Sequence, residues 1–275
     1  MPTAVISDIH ANAVALRAVL ADIDARGIQR MICLGDIIGY GPDPLQCIDM
    51  VRERCAWALM GNHDFGVLYE PTNFNPGAES AAHWTREQLD AAPIDEKGAN
   101  RLDFLGRLQV RQFEPLPRPE GAEDGASDDP AAANGTAHAL CVHASPRRPV
   151  NEYIFPDDIH GDPDKIRSIF SRVDRVCFCG HTHVPGVFTD DVEFFSPTEL
   201  GDPPVYRFGH DEKIIINSGS VGQPRDHDPR ASYAVLYADR VEFVRVEYDI
   251  AETADRIKAI PELHDWLGDR LFEGR

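Results

Sequence analysis

Residues 4–10 read Ala4-Val5-Ile6-Ser7-Asp8-Ile9-His10, a short apolar run that ends on an acid with an imidazole two places further on. The run has the length and β-branched content of a buried strand. Residues two apart in an extended segment point the same way, so Asp8 and His10 can chelate one ion. The pattern recurs four times along the chain. Met31–Leu34 runs into Gly35-Asp36, and Ala56–Met60 into Gly61-Asn62-His63-Asp64. Ala139–Val142 ends on His143, and Val176–Cys179 on Gly180-His181-Thr182-His183. Glycine beside the ligand lets the backbone turn sharply. Between these runs lie helical patterns, over 12–26 with Val14, Leu16, Val19, Leu20 and Ile23 apolar and Gly27 closing it, and over Leu45–Arg54. Alternating strands and helices predict an α/β sheet with its site off the carboxyl ends of the strands. A donor set of Asp, His and Asn fits neither an all-sulfur zinc site nor an all-oxygen calcium cage, and suits Mn, Fe, Zn or related ions.

Further along, helical patterns cover about 78–91 and 96–108, followed by a strand near 110–113. After Val184 the spacing tightens into strands at 187–189, 192–195, 205–208, 213–217, 232–237 and 241–248, and two helices at 251–260 and 262–271 close the chain. A parallel βα half joined without a linker to an antiparallel half predicts one domain over residues 1–275, with two packed sheets and helices outside. Residues 116–136 carry no large apolar side chain after Leu116 and read as an inserted surface loop.

Among the 275 residues, 27 Lys and Arg face 46 Asp and Glu, a net charge of −19. That disfavours general nucleic-acid binding and anionic membrane surfaces, which draw on basic residues. No apolar run approaches the ~20 residues of a membrane span. The chain opens directly on a strand with no leader pattern, and its six cysteines form no CxxC pair. Both features predict reduced thiols in a cytoplasmic protein. An anionic substrate then requires local positive charge, which metal ions can supply.

Taken in order, Asp8-x-His10, Gly35-Asp36, Gly61-Asn62-His63-Asp64, His143 and Gly180-His181-Thr182-His183 resemble the motifs of the calcineurin-like metallophosphoesterases, in their small bacterial branch. The stretch Asn217–Gly222 resembles a further signature of that branch. The resemblance implies a four-layer αββα sandwich and a centre of two divalent transition-metal ions (Mn, Fe, Zn or Ni, with Mn favoured). It implies Asp8, His10 and His183 on one ion, and Asn62, His143 and His181 on the other. Asp36 would bridge them, catalytic His63 would face the substrate phosphoryl group, and Asp64 would be its acidic catalytic neighbour. Two divalent ions against two carboxylates and a bridging hydroxide leave about one positive charge, enough to hold a phosphoryl group.

The implied activity is metal-dependent hydrolysis of phosphate esters, as a phosphodiesterase or broad phosphoesterase. A bridging water is activated by the dinuclear centre, and His63 is the general acid. The implied partner is a small phosphorylated substrate, nucleotides included. Arg225, after the glycine-rich 219–222 loop, Tyr40 and Arg147 are candidate substrate contacts. The sequence departs from relatives at two places. Ile37-Ile38-Gly39 stands where the protein phosphatase branch, and often the bis-nucleoside tetraphosphate hydrolases, carry Asp-Arg-Gly with its phosphate-clamping arginine. Ala11 stands where the small bacterial branch has Gly. A non-catalytic scaffold that keeps the fold is the competing class, and it would be expected to have lost ligands that this chain retains.

Overall fold

The computed structural model describes residues 1–117, 138–209 and 211–275; the expected insertion over 116–136 lies, from residue 118 on, outside them. Among the described residues twelve strands form two six-stranded mixed sheets. In chain order they are β1 (Thr3–Ile6), β2 (Arg30–Cys33), β3 (Trp57–Ala58), β4 (Arg111–Pro115), β5 (His138–Val142) and β6 (Val176–Cys179). Then come β7 (Gly186–Thr189), β8 (Phe194–Phe195), β9 (Val205–Arg207), β10 (Ile214–Asn217), β11 (Ala231–Leu236) and β12 (Arg240–Val246). One sheet has the order β3-β2-β1-β11-β12-β9, the other β4-β5-β6-β10-β7-β8.

Side-chain alternation explains why these runs are apolar at every position. Val5, Ile32, Leu34, Val176, Phe178, Ile214 and Ile216 point into the layer between the sheets. Their neighbours Ala4, Ile6, Met31 and Cys33 face outward under α1 (Ala13–Ala25) and α2 (Pro44–Arg54), against Leu16, Val19, Ile23 and Ile48. Cys177, Cys179 and Ile215 face the opposite way, under the helix Pro163–Phe170 with Ile166, Ile169 and Phe170. A strand buried on both faces reads as a continuous apolar run, and two such sheets back to back give the αββα sandwich. Glu114 of β4 reaches across as a fully buried acceptor for Thr3, Arg30 and Trp57 of the other sheet.

The sequence halves do not sort into separate sheets. β10 enters the second sheet between β6 and β7, parallel to the first and antiparallel to the second. β11 pairs antiparallel with β1, beside its parallel neighbour β2. Some elements differ from their expected extent. The helix expected over 96–108 is confined to Arg101–Gly106, because Asp95 caps a turn through the Ala99 N–H and Gly98 takes a φ of +81°. The one over 262–271 starts only at Trp266 and ends as a 3₁₀ turn over Arg270–Glu273. Four helices among the described residues had no counterpart in the reading: α3 (Asn62–Leu68), which begins inside a ligand motif, Pro163–Phe170, and the single turns Asp158–Gly161 and Pro197–Leu200. Between α2 and β4 the chain also forms α4 (Pro76–Ala91), capped by Asn75.

Candidate metal centre

All five ligand-bearing strand ends lie on one edge of the sandwich, and their side chains converge. Asp8, His10 and His183 form one buried group whose donor atoms lie within 4.8 Å of one another; Asp36, His143 and His181 form a second, and His10, Asp36 and His63 a third. His10 Nε2 lies 3.1 Å from His183 Nε2, which is 3.2 Å from Asp8 Oδ1. Asp36 Oδ2 sits between the two sides, 3.6 Å from His10 Nε2 and 3.4 Å from His143 Nε2. Asn62 Oδ1 is 3.2 Å from the same His143 nitrogen.

The backbone is strained to achieve this. Seven of the ten non-glycine residues with positive φ among the described residues are Asp8, His10, Ala11, Asp36, Tyr40, His181 and His183. Such conformations cost on the order of 1–3 kcal/mol each and persist where surrounding structure over-determines them. Here hydrogen bonds do so. The His181 N–H donates to the Asp8 carboxylate at 3.0 and 3.2 Å, and the His63 N–H to Asp36 Oδ1 at 2.8 Å. Two glycines make room for the carboxylates. A Cβ on Gly61 would stand 2.0 Å from Asp36 Oδ1, and one on Gly180 2.4 Å from Asp8 Oδ2.

Supporting contacts also fix which ring nitrogen is free. A carbonyl only accepts, so His143 Nδ1–H donates to Leu34 O (3.1 Å) and His183 Nδ1–H to Gln223 O (2.6 Å). Each ring therefore presents Nε2 to the cluster, the arrangement that ligating histidines adopt. The 217–223 loop holds both His-bearing turns. Asn217 Nδ2 donates to Gly180 O and Thr182 Oγ1, while Ser220 Oγ–H and the Gly222 N–H both donate to Asp8 O.

Burial pushes His63 down to about 4 and His181 down to about 3, and lowers His10 and His183 as well, so these four rings are neutral lone-pair donors. Burial works upward on Asp8 and Asp36, yet both carboxyls lie below the usual carboxylate range, Asp8 beside His183 and Asp36 beside His143. Burial also opposes a charge on His143, yet the Asp36 carboxylate pushes it up to about 9. Converging lone pairs, two buried carboxylates, and buried His10 Nδ1, His63 Nδ1 and His181 Nε2 without hydrogen-bond partners fit divalent metal ions.

The expected substrate contacts divide. Tyr40 lies with its ring 4.3 Å from that of His63 and 4.8 Å from that of His10, and Arg225 Cζ is 5.9 Å from the Tyr40 ring. Arg147 is turned elsewhere, paired with Glu152 at 2.6 Å and bonded to Ser168, where it braces the loop after His143. Asp64, expected as the acidic catalytic neighbour of His63, has its carboxylate occupied by the N–H groups of Ile37, Ile38 and Gly61. It ties the Asp36 turn to the start of α3. The reading missed Gln223, Arg270 and Tyr153. The Tyr153 ring stacks on His181 at 3.8 Å. Burial, with Arg225 nearby, pushes the Arg270 guanidinium down to about 10. Gln223 and Tyr153 reach the site from distant loops and Arg270 from the C-terminal 3₁₀ turn, and none carries a local motif.

A buried cluster of this kind on a four-layer sandwich defines a metal-dependent hydrolase of phosphoric esters, and comparison with known proteins agrees. The calcineurin-like phosphoesterase profile matches residues 1–185, and that of the calcineurin-like phosphoesterase superfamily domain matches 157–240. The chain is 37% identical to an uncharacterized protein of Methanocaldococcus jannaschii, covering 99% of this chain and 98% of that one. It superposes on a metallophosphoesterase from Sphaerobacter thermophilus with a TM-score of 0.76 and 35% identity, covering 100% and 99% of the two chains. A hypothetical protein from Pyrococcus horikoshii shares the fold, with a TM-score of 0.70, 19% identity and coverage of 100% and 98%. The chain belongs to the calcineurin-like phosphoesterases.

Proposed function

We propose that the protein hydrolyses small phosphodiesters or a broad range of phosphoesters with two divalent ions, manganese preferred. Asp8, His10 and His183 would hold one ion, Asn62, His143 and His181 the other, and Asp36 both. The observation that carries this is the convergence of Nε2 atoms on two buried carboxylates, with the rings of His143 and His183 locked from behind by main-chain carbonyls. When bound, the ions supply Lewis acidity toward the phosphoryl oxygens and an activated water.

The chain's own groups supply the rest. His63 is fixed by its N–H on Asp36 and packed between Tyr40 and Phe74, with Nδ1 unpartnered. It serves as the donor to the leaving oxygen. Neutral in the free protein, it takes up its proton together with the anionic phosphoryl group, whose charge offsets the burial. Asp64 positions both ligand turns without touching substrate. Arg225, beside Tyr40, holds a non-bridging phosphate oxygen.

Six free cysteines, five of them buried, support a cytoplasmic protein. Strands from both ends of the chain within one sheet, β1 to β3 beside β11 and β12, support one domain over 1–275. No helix among the described residues is long and apolar enough to cross a membrane.

The test is hydrolysis of bis(4-nitrophenyl) phosphate by protein loaded with Mn²⁺, with metal content measured alongside. We expect turnover that His63→Ala lowers by about 10²–10⁴-fold while metal content is kept. Equal rates in the two proteins would remove His63 from the mechanism.

A further inference from the structure

A cavity of about 590 Å³ opens directly from the donor cluster, with Asn62, His63 and His181 in its floor. Its size lies within the range of sites that hold small organic ligands. One wall comes from α3 and the loop after it, through Phe65, Tyr69, Asn73 and Phe74; the other comes from the loop after β5, through Val150, Asn151 and Tyr153. Tyr153 stacks on His181 with rings 21° from parallel, and Phe155 stacks on Tyr153 at 5.1 Å and 8°. Three rings thus form a ladder from the cluster to solvent.

These rings are more open than their chemistry favours. Phe65 is 41% exposed, Tyr69 65%, Tyr153 40% and Phe155 44%. Exposed apolar groups gathered around a concavity mark a binding surface, whereas scattered ones do not. The lining also limits what can bind. Among the described residues its lining has Glu70 as the sole carboxylate and no lysine or arginine, a poor setting for a second phosphate. The exposed amides of Asn73 and Asn151 make no hydrogen bond within the described residues. An acyl chain would leave such amides unused, whereas a heteroaromatic ring offers both faces to stack and an edge to hydrogen-bond.

We infer that this aromatic cavity is a nucleobase subsite, so that the preferred substrates are phosphoesters of nucleosides. The inference rests on the phosphoesterase reading of the adjoining cluster, but base binding itself needs no catalysis. In outline, the base lies along the Tyr153 ladder with Phe65 and Tyr69 closing over it, and its phosphate reaches the cluster at His63.

Equilibrium dialysis of adenosine, with ribose and octyl phosphate as controls, tests the subsite on the Mn²⁺-loaded protein. Adenosine should bind and ribose should not. Phe65→Ala combined with Tyr69→Ala should weaken adenosine binding about tenfold, in line with the loss of base stacking. Tyr153→Phe, which keeps the ring, should retain binding that Tyr153→Ala loses. Adenosine should also compete with bis(4-nitrophenyl) phosphate during turnover. Turnover without adenosine binding or competition would overturn the subsite and leave the phosphoesterase standing. Adenosine binding without turnover would keep the subsite and remove the hydrolase. Octyl phosphate competing as well as AMP, which carries the same phosphate, would make the cavity an alkyl site and overturn the inference.

Discussion

On the Tyr40 side of the donor cluster the chain sets two guanidinium groups, Arg225 and Arg270, that pair with no side-chain carboxylate among the described residues. Arg225 is held by Gln223 Oε1, and Arg270 by the main-chain oxygen of Arg275 and the face of Trp266. On the Tyr153 side it sets rings, amides and one acid. The first side recognises charge, which in a protein of net charge −19 has to be concentrated locally. The second recognises shape. Both open onto the same buried carboxylates, so substrate selection divides between the walls while the chemistry stays in the floor.

The largest expected effect lies in the floor itself. Asp36→Asn leaves the shape almost unchanged and removes the carboxylate charge shared by both halves of the cluster. Bound metal should fall below one ion per chain, and turnover should drop by at least about 10³-fold, beyond the loss of a single positioned donor. Metal analysis together with rates checks this, and full metal content in the variant would contradict Asp36 as the shared ligand.

The charged wall comes next. Arg225→Ala should raise KM for a phosphodiester about tenfold with kcat changed less, the cost of one charge-assisted contact. Arg147→Ala, outside the cluster, should leave KM within about twofold and lower stability instead through the loss of its Glu152 pair. An equal KM effect in both variants would erase the contrast between them.

The smallest effect concerns the strained backbone. Ala11 is fully buried at a φ of +52°. Glycine would relieve about 1 kcal/mol of left-handed strain and give up about 0.8 kcal/mol of buried methyl. Ala11→Gly should therefore keep stability within about 1 kcal/mol in chemical denaturation. A loss above about 2 kcal/mol would mean that the methyl packing, rather than the turn, governs this position.

The gathering of these side chains was legible because each motif follows an apolar run, and strand periodicity is a local signal. Asp8 to His10 and Asp36 needed only the spacing two apart and the glycine beside the turn. What was not legible depends on long-range pairing. Nothing near β10 announces that it enters between β6 and β7, and Gln223 earns its place only because His183 folds beneath it. The α3 helix was hidden because its first turn is Asn62-His63-Asp64, residues that also favour turns and caps. Arg147 read as a phosphate contact by residue type alone, and the Glu152 that claims it is visible only in three dimensions.

Because β10 and β11 sit at the centres of their sheets, a nascent chain carrying all eight residues of the donor cluster and His63 site still lacks the strands that hold those residues together. Residues 1–185 expressed alone should remain unfolded, and on the ribosome the first two-thirds must wait, with its apolar strands unpaired, for the last third to emerge. Such a protein depends on being sheltered during synthesis, and a premature stop anywhere before β11 should yield aggregate rather than a smaller working enzyme.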